Sequence, residues 1–90
     1  MDRIKVIFRK DNGKNVIAFF PEVKSNYGNI MSYTHIGQHS EASYQFYLET
    51  KKASEAEYNS LLNELKRVYS DYVLVVKQKL YYDDLIKAWQ

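Results

Sequence analysis

Cysteine is absent from this chain of 90 residues, and proline (one) and glycine (three) are scarce. Each scarcity excludes something. Without cysteine there is neither a disulfide framework nor a thiolate nucleophile, and a zinc ion would have to be held by His, Asp or Glu alone. A reducing cytoplasm is the expected setting. The few glycines form no phosphate-cradling loop, and no stretch reads as a linker, a repeat or a low-complexity segment. Long hydrophobic runs are missing too. The first apolar run is broken by Lys5 and Arg9, unlike a signal peptide, and nothing reaches the roughly 18 residues needed to span a bilayer. The expectation is a soluble, cytoplasmic protein of one domain over residues 1–90, large enough for a single modest core but not for two.

Charge is also thin. The formal net charge of +2 is too small to mark a nucleic-acid binder by itself. Its distribution is uneven, with Arg3, Lys5, Arg9, Lys10, Lys14 and Lys24 near the N-terminus and no Lys or Arg between Ser25 and Thr50. Within that span free of Lys and Arg lies Met31 to Ser40, MSYTHIGQHS, which holds both histidines, Tyr33, Gln38, Ser40 and a glycine. Such a segment, polar yet uncharged, has the composition of a site. What is abundant is tyrosine, with nine residues; each ring brings a large apolar face and a polar tip, suited to a small core or to a recognition surface.

Local patterns predict the elements. Ile4 to Lys10 alternates as a half-buried strand, Asn12-Gly13 is a strong hairpin signal, and Val16 to Phe20 returns antiparallel until Pro21 stops it. A two-residue turn sets Phe8 against Ile17 and Val6 against Phe19, on the core face with Ile4; a bulged turn shifts this by one residue. The second face then carries Ile7, Val16, Ala18 and Phe20 and needs a cover: the C-terminal segment, a second protomer or a ligand. Glu22 to Asn29 reads as a loop, Ile30 to Ile36 as a third strand, and Ser43 to Thr50 as a fourth, because Tyr44, Phe46 and Leu48 alternate with Gln45, Tyr47 and Glu49. Ser54-Glu55-Ala56-Glu57 is a capping box. It opens a helix whose stripe is Tyr58, Leu61, Leu62, Leu65, Val68 and Tyr69, with Asn59, Asn63, Glu64 and Lys66 facing water. Val73 to Val76 reads as a strand buried on both faces. Tyr82, Leu85, Ile86 and Trp89 mark a short helix, with Asp83 and Asp84 suitably at its start. The fold class is therefore α+β: a mainly antiparallel sheet of four or five strands, the Ser54 helix across one face and the tail helix on the edge or the other face.

The segment MSYTHIGQHS, with the opening IKVIFRKDNGKNVIAFFPE and the later EYNSLLNEL helix, resembles a family of small uncharacterised proteins met in phages and mobile elements of gut bacteria, which share a SYxHxGQHS core. The likeness covers roughly residues 4–77. Two departures stand out: Ile30 occupies a position where relatives often have cysteine, and the chain adds a tail ending in Trp89. The resemblance implies a setting and no particular activity.

Three chemistries compete for the segment. His35 and His39 could share a metal only if the chain folds back at Gly37, since four residues along a strand span about 13 Å; no metal or other cofactor is expected. Acid–base work on RNA, as a small ribonuclease or metal-dependent hydrolase, would need the imidazoles to converge, with Tyr33 donating and Lys5 or Arg9 on phosphate. The favoured reading is non-enzymatic: Tyr33, His35, Gln38, His39 and Ser40 bind a host or element-encoded protein. In the alternative, the ligand is RNA or single-stranded DNA, with Phe20 or Tyr33 stacked on bases and Lys5, Arg9 and Lys10 on phosphates. No membrane partner is expected, and a homodimer remains open.

Overall fold

A computed structural model of the protein describes residues 2–35 and 37–90. The fold is α+β, with a mainly antiparallel sheet curled into a half-barrel. Its centre is β1 (Asp2–Lys10), which pairs antiparallel with β2 (Val16–Phe20). Beyond β2 come β3 (Asn29–Tyr33) and β4 (His39–Ser43), each antiparallel to its neighbour. On the other side of β1 lie β5 (Lys51–Lys52), antiparallel at Arg9 and Lys10, and β6 (Tyr72–Lys77), parallel along residues 2–7. The helices are α1 (Tyr44–Glu49), α2 (Glu55–Val68) and α3 (Tyr82–Ala88).

The first hairpin turns by three residues rather than two. Lys14 N–H donates to the Asp11 carbonyl at 3.0 Å, and Lys14 itself takes a φ of 63°. This is a turn followed by a left-handed residue, the next most common hairpin closure after the two-residue one. The Asp11 carboxylate accepts from the Asn15 amide at 2.9 Å, which favours the wider loop and holds the Asp11 carboxyl below the usual range. The register moves by one residue: Phe8 faces Ala18, and Ile7 faces Phe19.

That shift decides which residues share a face. Val6, Phe8, Ala18, Phe20 and Tyr33 pack against Leu61, Leu62 and Leu65 of α2. Ile7, Ile17, Phe19 and Ile30 pack on the opposite face with Tyr47 of α1 and Leu85 of α3. The second apolar face is thus covered by the C-terminal segment with α1. Trp89 Nε1 donates to the Asn29 carbonyl at 2.7 Å, and Lys5 Nζ reaches Asp84 at 3.1 Å, fixing α3 to the sheet. Burial of both sheet faces gives a 90-residue chain two apolar layers instead of one.

Three expectations are corrected. The span 43–50 is a helix, because Ser43 Oγ accepts from Phe46 N–H at 3.0 Å as an N-cap; Tyr44 and Tyr47, three apart, then stack, and Leu48 is left 54% exposed. The third strand ends at Tyr33, and the proposed extension to Ile36 leads to a residue outside those described. β6 is an edge strand rather than one buried on both faces, with Tyr72 and Val73 each 42% exposed. The capping box holds as read: Ser54 Oγ accepts from Glu57 N–H, and Glu57 Oε1 accepts from Ser54 N–H at 2.9 Å.

Candidate functional site

The polar segment folds back on itself. β3 carries Tyr33, and β4 begins at His39, which the register sets directly opposite Tyr33. Gly37, at a φ of 82°, supplies the left-handed residue that the reversal uses. The fold-back that convergence of the histidines required is present, and the Tyr33 and His39 rings meet edge to face, centroids 4.8 Å apart.

Below this turn runs α2, and Glu64 reaches up from it. Its carboxylate accepts from the Tyr33 hydroxyl at 2.5 Å through one oxygen and pairs with His35 Nδ1 at 2.9 Å through the other. These two bonds hold the Glu64 carboxyl below its usual range. An ionised carboxylate only accepts, so His35 carries its proton on Nδ1 in this bond. The same carboxylate, together with burial of the residue, pushes the Tyr33 hydroxyl above the usual phenol value. His39 Nε2 shares a 2.5 Å hydrogen bond with the Tyr69 hydroxyl, and burial raises the Tyr69 pKa. Phe20 lies underneath, its ring near those of both His39 and Tyr69.

The imidazoles therefore go to separate protein partners instead of to one shared ion. Among the described residues no group of three or more His, Asp or Glu side chains could hold a metal. Tyr33 is in the core, its ring against His39 and its hydroxyl on Glu64, while His35, Gln38, His39 and Ser40 are exposed. Ser40 lies on β4, opposite Ser32, whose hydroxyl donates to the Ser40 carbonyl. His35 also lines a cleft of about 390 Å³ with Thr34, Asp11, Asn15, Val16 and Ile17.

Compared with family models, with curated proteins and with solved structures, the chain matches none.

The residues named for nucleic acid are dispersed and occupied. Phe20 is fully buried, so its ring has no face to offer a base. Lys5 is paired with Asp84, the hydrogen bond that chiefly raises its pKa. Arg9 Nε donates to Thr50 Oγ1 at 3.0 Å, and the guanidinium lies over the Tyr47 ring. Lys10 pairs with Glu57 at 2.8 Å, on the opposite side of the strand from Lys5 and Arg9.

Glu64 and Tyr69 are the site residues that sequence patterns missed. Glu64 occupies a polar position of the α2 stripe, where patterning sends it to water. Tyr69 counts as the last apolar residue of that stripe. Both act on residues about thirty positions away, and no local spacing announces such a contact.

Proposed function

We propose that the protein is a non-enzymatic binding module of a phage or mobile element, engaging an extended segment of a host or element-encoded protein along β4 and the turn before it. The observation that carries this reading is the open edge of β4. Among the described residues no strand pairs with its outer side. The Tyr44 amide donates to the Gly28 carbonyl, so by the alternation of antiparallel ladders the main-chain groups of Ser43, Glu41 and His39 point outward. A partner strand laid there gains main-chain hydrogen bonds, and side chains beside it supply selectivity. His35, Gln38, His39 and Ser40 are placed for that role, and Tyr33 positions His35 through Glu64. The phage or mobile-element setting rests on the SYxHxGQHS resemblance.

Affinity capture from host lysate, comparing the wild type with the His35→Ala/His39→Ala variant and reading both proteins and nucleic acids, tests this. One discrete protein lost by a folded double variant is the expected result. Equal recovery by both, or recovery of nothing, removes these histidines from any binding role.

One observation favours a second reading, proton transfer at His35 on an RNA phosphodiester. A carboxylate holds Nδ1 of this imidazole at the rim of a cleft, as in an oriented general base. RNA left intact by the wild type, or cleaved equally by His35→Ala, would end that reading.

A further inference from the structure

The other edge of the sheet is β6, and its sequence is unlike that of β4. Tyr72 to Val76 contains no charge, no proline and no glycine, the features by which proteins usually blunt an open edge. The strand pairs only with β1, so every second residue turns its N–H and C=O away from the sheet. Apolar side chains stand out on both sides of this edge. Tyr72 lies on the face of α2, with Val68 exposed just before it, and Val73 lies on the face of α3. Each end of the strand carries one charge, Asp71 immediately before it and Lys77 as its last residue, and among the described residues neither has an ion-pair partner.

We infer that β6 is a self-association edge, and that two copies of the chain join through it as an antiparallel pair about a twofold axis. The axis must run through the sheet, so that each face continues into the same face of the second copy. Only residues of the same face can then sit opposite each other. One register satisfies both the apolar and the charged positions. With Leu74 opposite the partner's Leu74, Val73 meets the partner's Val75, Tyr72 meets the partner's Val76, and Asp71 meets the partner's Lys77. The twofold repeats each contact, giving two reciprocal Asp–Lys pairs that flank a patch of four valines on one face. The two neighbouring registers set Val73 against the partner's Lys77 or Asp71 against the partner's Val75, and each loses this match. Cross-strand pairs of β-branched residues and of opposite charges are the ones that stabilise antiparallel pairing. The joined sheets leave β4 open at both far ends, so self-association and the partner binding proposed above occupy different edges.

Sedimentation equilibrium of the full chain over a range of concentrations tests the inference. The wild type is expected to dimerise, and Asp71→Lys, which sets lysine against lysine twice, to weaken the dimer roughly tenfold. Lys77→Asp should weaken it similarly, whereas the double exchange Asp71→Lys/Lys77→Asp should restore it. All three change exposed side chains, so circular dichroism should report an unchanged fold. Val73→Lys, also at an exposed position, should leave a monomer. A wild type that stays monomeric at the highest concentrations, or a dimer indifferent to Asp71→Lys and Val73→Lys, overturns the inference. A dimer weakened by both single exchanges but not rescued by the double one overturns the register.

Discussion

The two open edges of this sheet are built by opposite means. β4 reads HSEAS and has little intrinsic preference for a strand; its ladder to β3 is reinforced by side-chain bonds, Ser32 donating to the Ser40 carbonyl, Glu41 accepting from the Asn26 amide at 2.8 Å, and His39 bonded to Tyr69. β6 reads YVLVVK, and among the described residues no side-chain hydrogen bond involves it. It is held by its ladder to β1 and by Leu74 and Val76 packing toward α2. An edge fixed by directional bonds presents groups at defined positions and suits a selective partner. An edge fixed by apolar area suits a partner that is equally apolar, and the nearest such surface is its own copy.

The comparison breaks first if the support under β4 is removed. Phe20→Ala deletes a fully buried ring in contact with His39 and Tyr69, and should cost about 3–5 kcal/mol in urea unfolding. If the variant stays folded, it should lose capture of the proposed β4 partner before it loses the inferred self-association. A cost below about 1 kcal/mol would mean that Phe20 is not a core residue, and base stacking by that ring would again be open.

Tyr33→Phe asks how far the polar edge depends on one hydroxyl. It removes a bond to an ionised carboxylate and leaves the ring, so a loss of about 1–2 kcal/mol is expected. Hydrogen exchange at the amides of Thr34, His35, Gly37 and Gln38 and of β4 should quicken while that of β6 stays as it was. Equal quickening at both edges would show that Glu64 serves the whole fold rather than the site.

Ser54→Ala should act on the two edges alike, because α2 supports both. Losing the cap costs about 1 kcal/mol, read as a lower urea midpoint with an unchanged slope. A change confined to either edge would contradict that shared support.

How much of this was legible beforehand follows from the reach of each cause. The Ser54 helix, Pro21 as a strand end and the tail helix were readable because their signals lie within one turn of the chain. So was the need to cover a second apolar face. The hairpin register was legible only as a choice between a two-residue and a bulged turn, and Asp11 binding Asn15 decided it for the second against the Asn-Gly preference. The helix at 44–49 was missed because six residues alternate almost as well as they repeat by turns, and only the Ser43 cap separates the two. MSYTHIGQHS stood out by composition, yet its partners Glu64 and Tyr69 were invisible, as they arrive from α2 only after the sheet has curled over it. The open edge of β6 was hidden for a related reason: an uninterrupted β-branched run looks the same whether one neighbour or two will pair with it.

Acid provides the finest separation. The Glu57 carboxyl is lowered from the ordinary 4.5 to about 2, chiefly by its hydrogen bond from Lys10 and then by the Ser54 amide. Glu64 is lowered too, by Tyr33 and His35. In each case the folded chain keeps the anion to a lower pH than the unfolded chain does. Their stabilisation is therefore complete above the ordinary carboxyl value and fades as pH falls through the folded one. Wild-type urea midpoints should decline from about pH 4.5 downward. Glu57→Gln should be the weaker protein at pH 7, with the gap closing toward pH 2. Because Glu57 pairs with β1 and Glu64 with the 33–35 turn, the two variants should divide the decline. Glu64→Gln should remove the part that exchange detects beside β4, and Glu57→Gln the part common to the fold. An unaltered acid limb in Glu64→Gln would place the pH response of the polar edge on some other group.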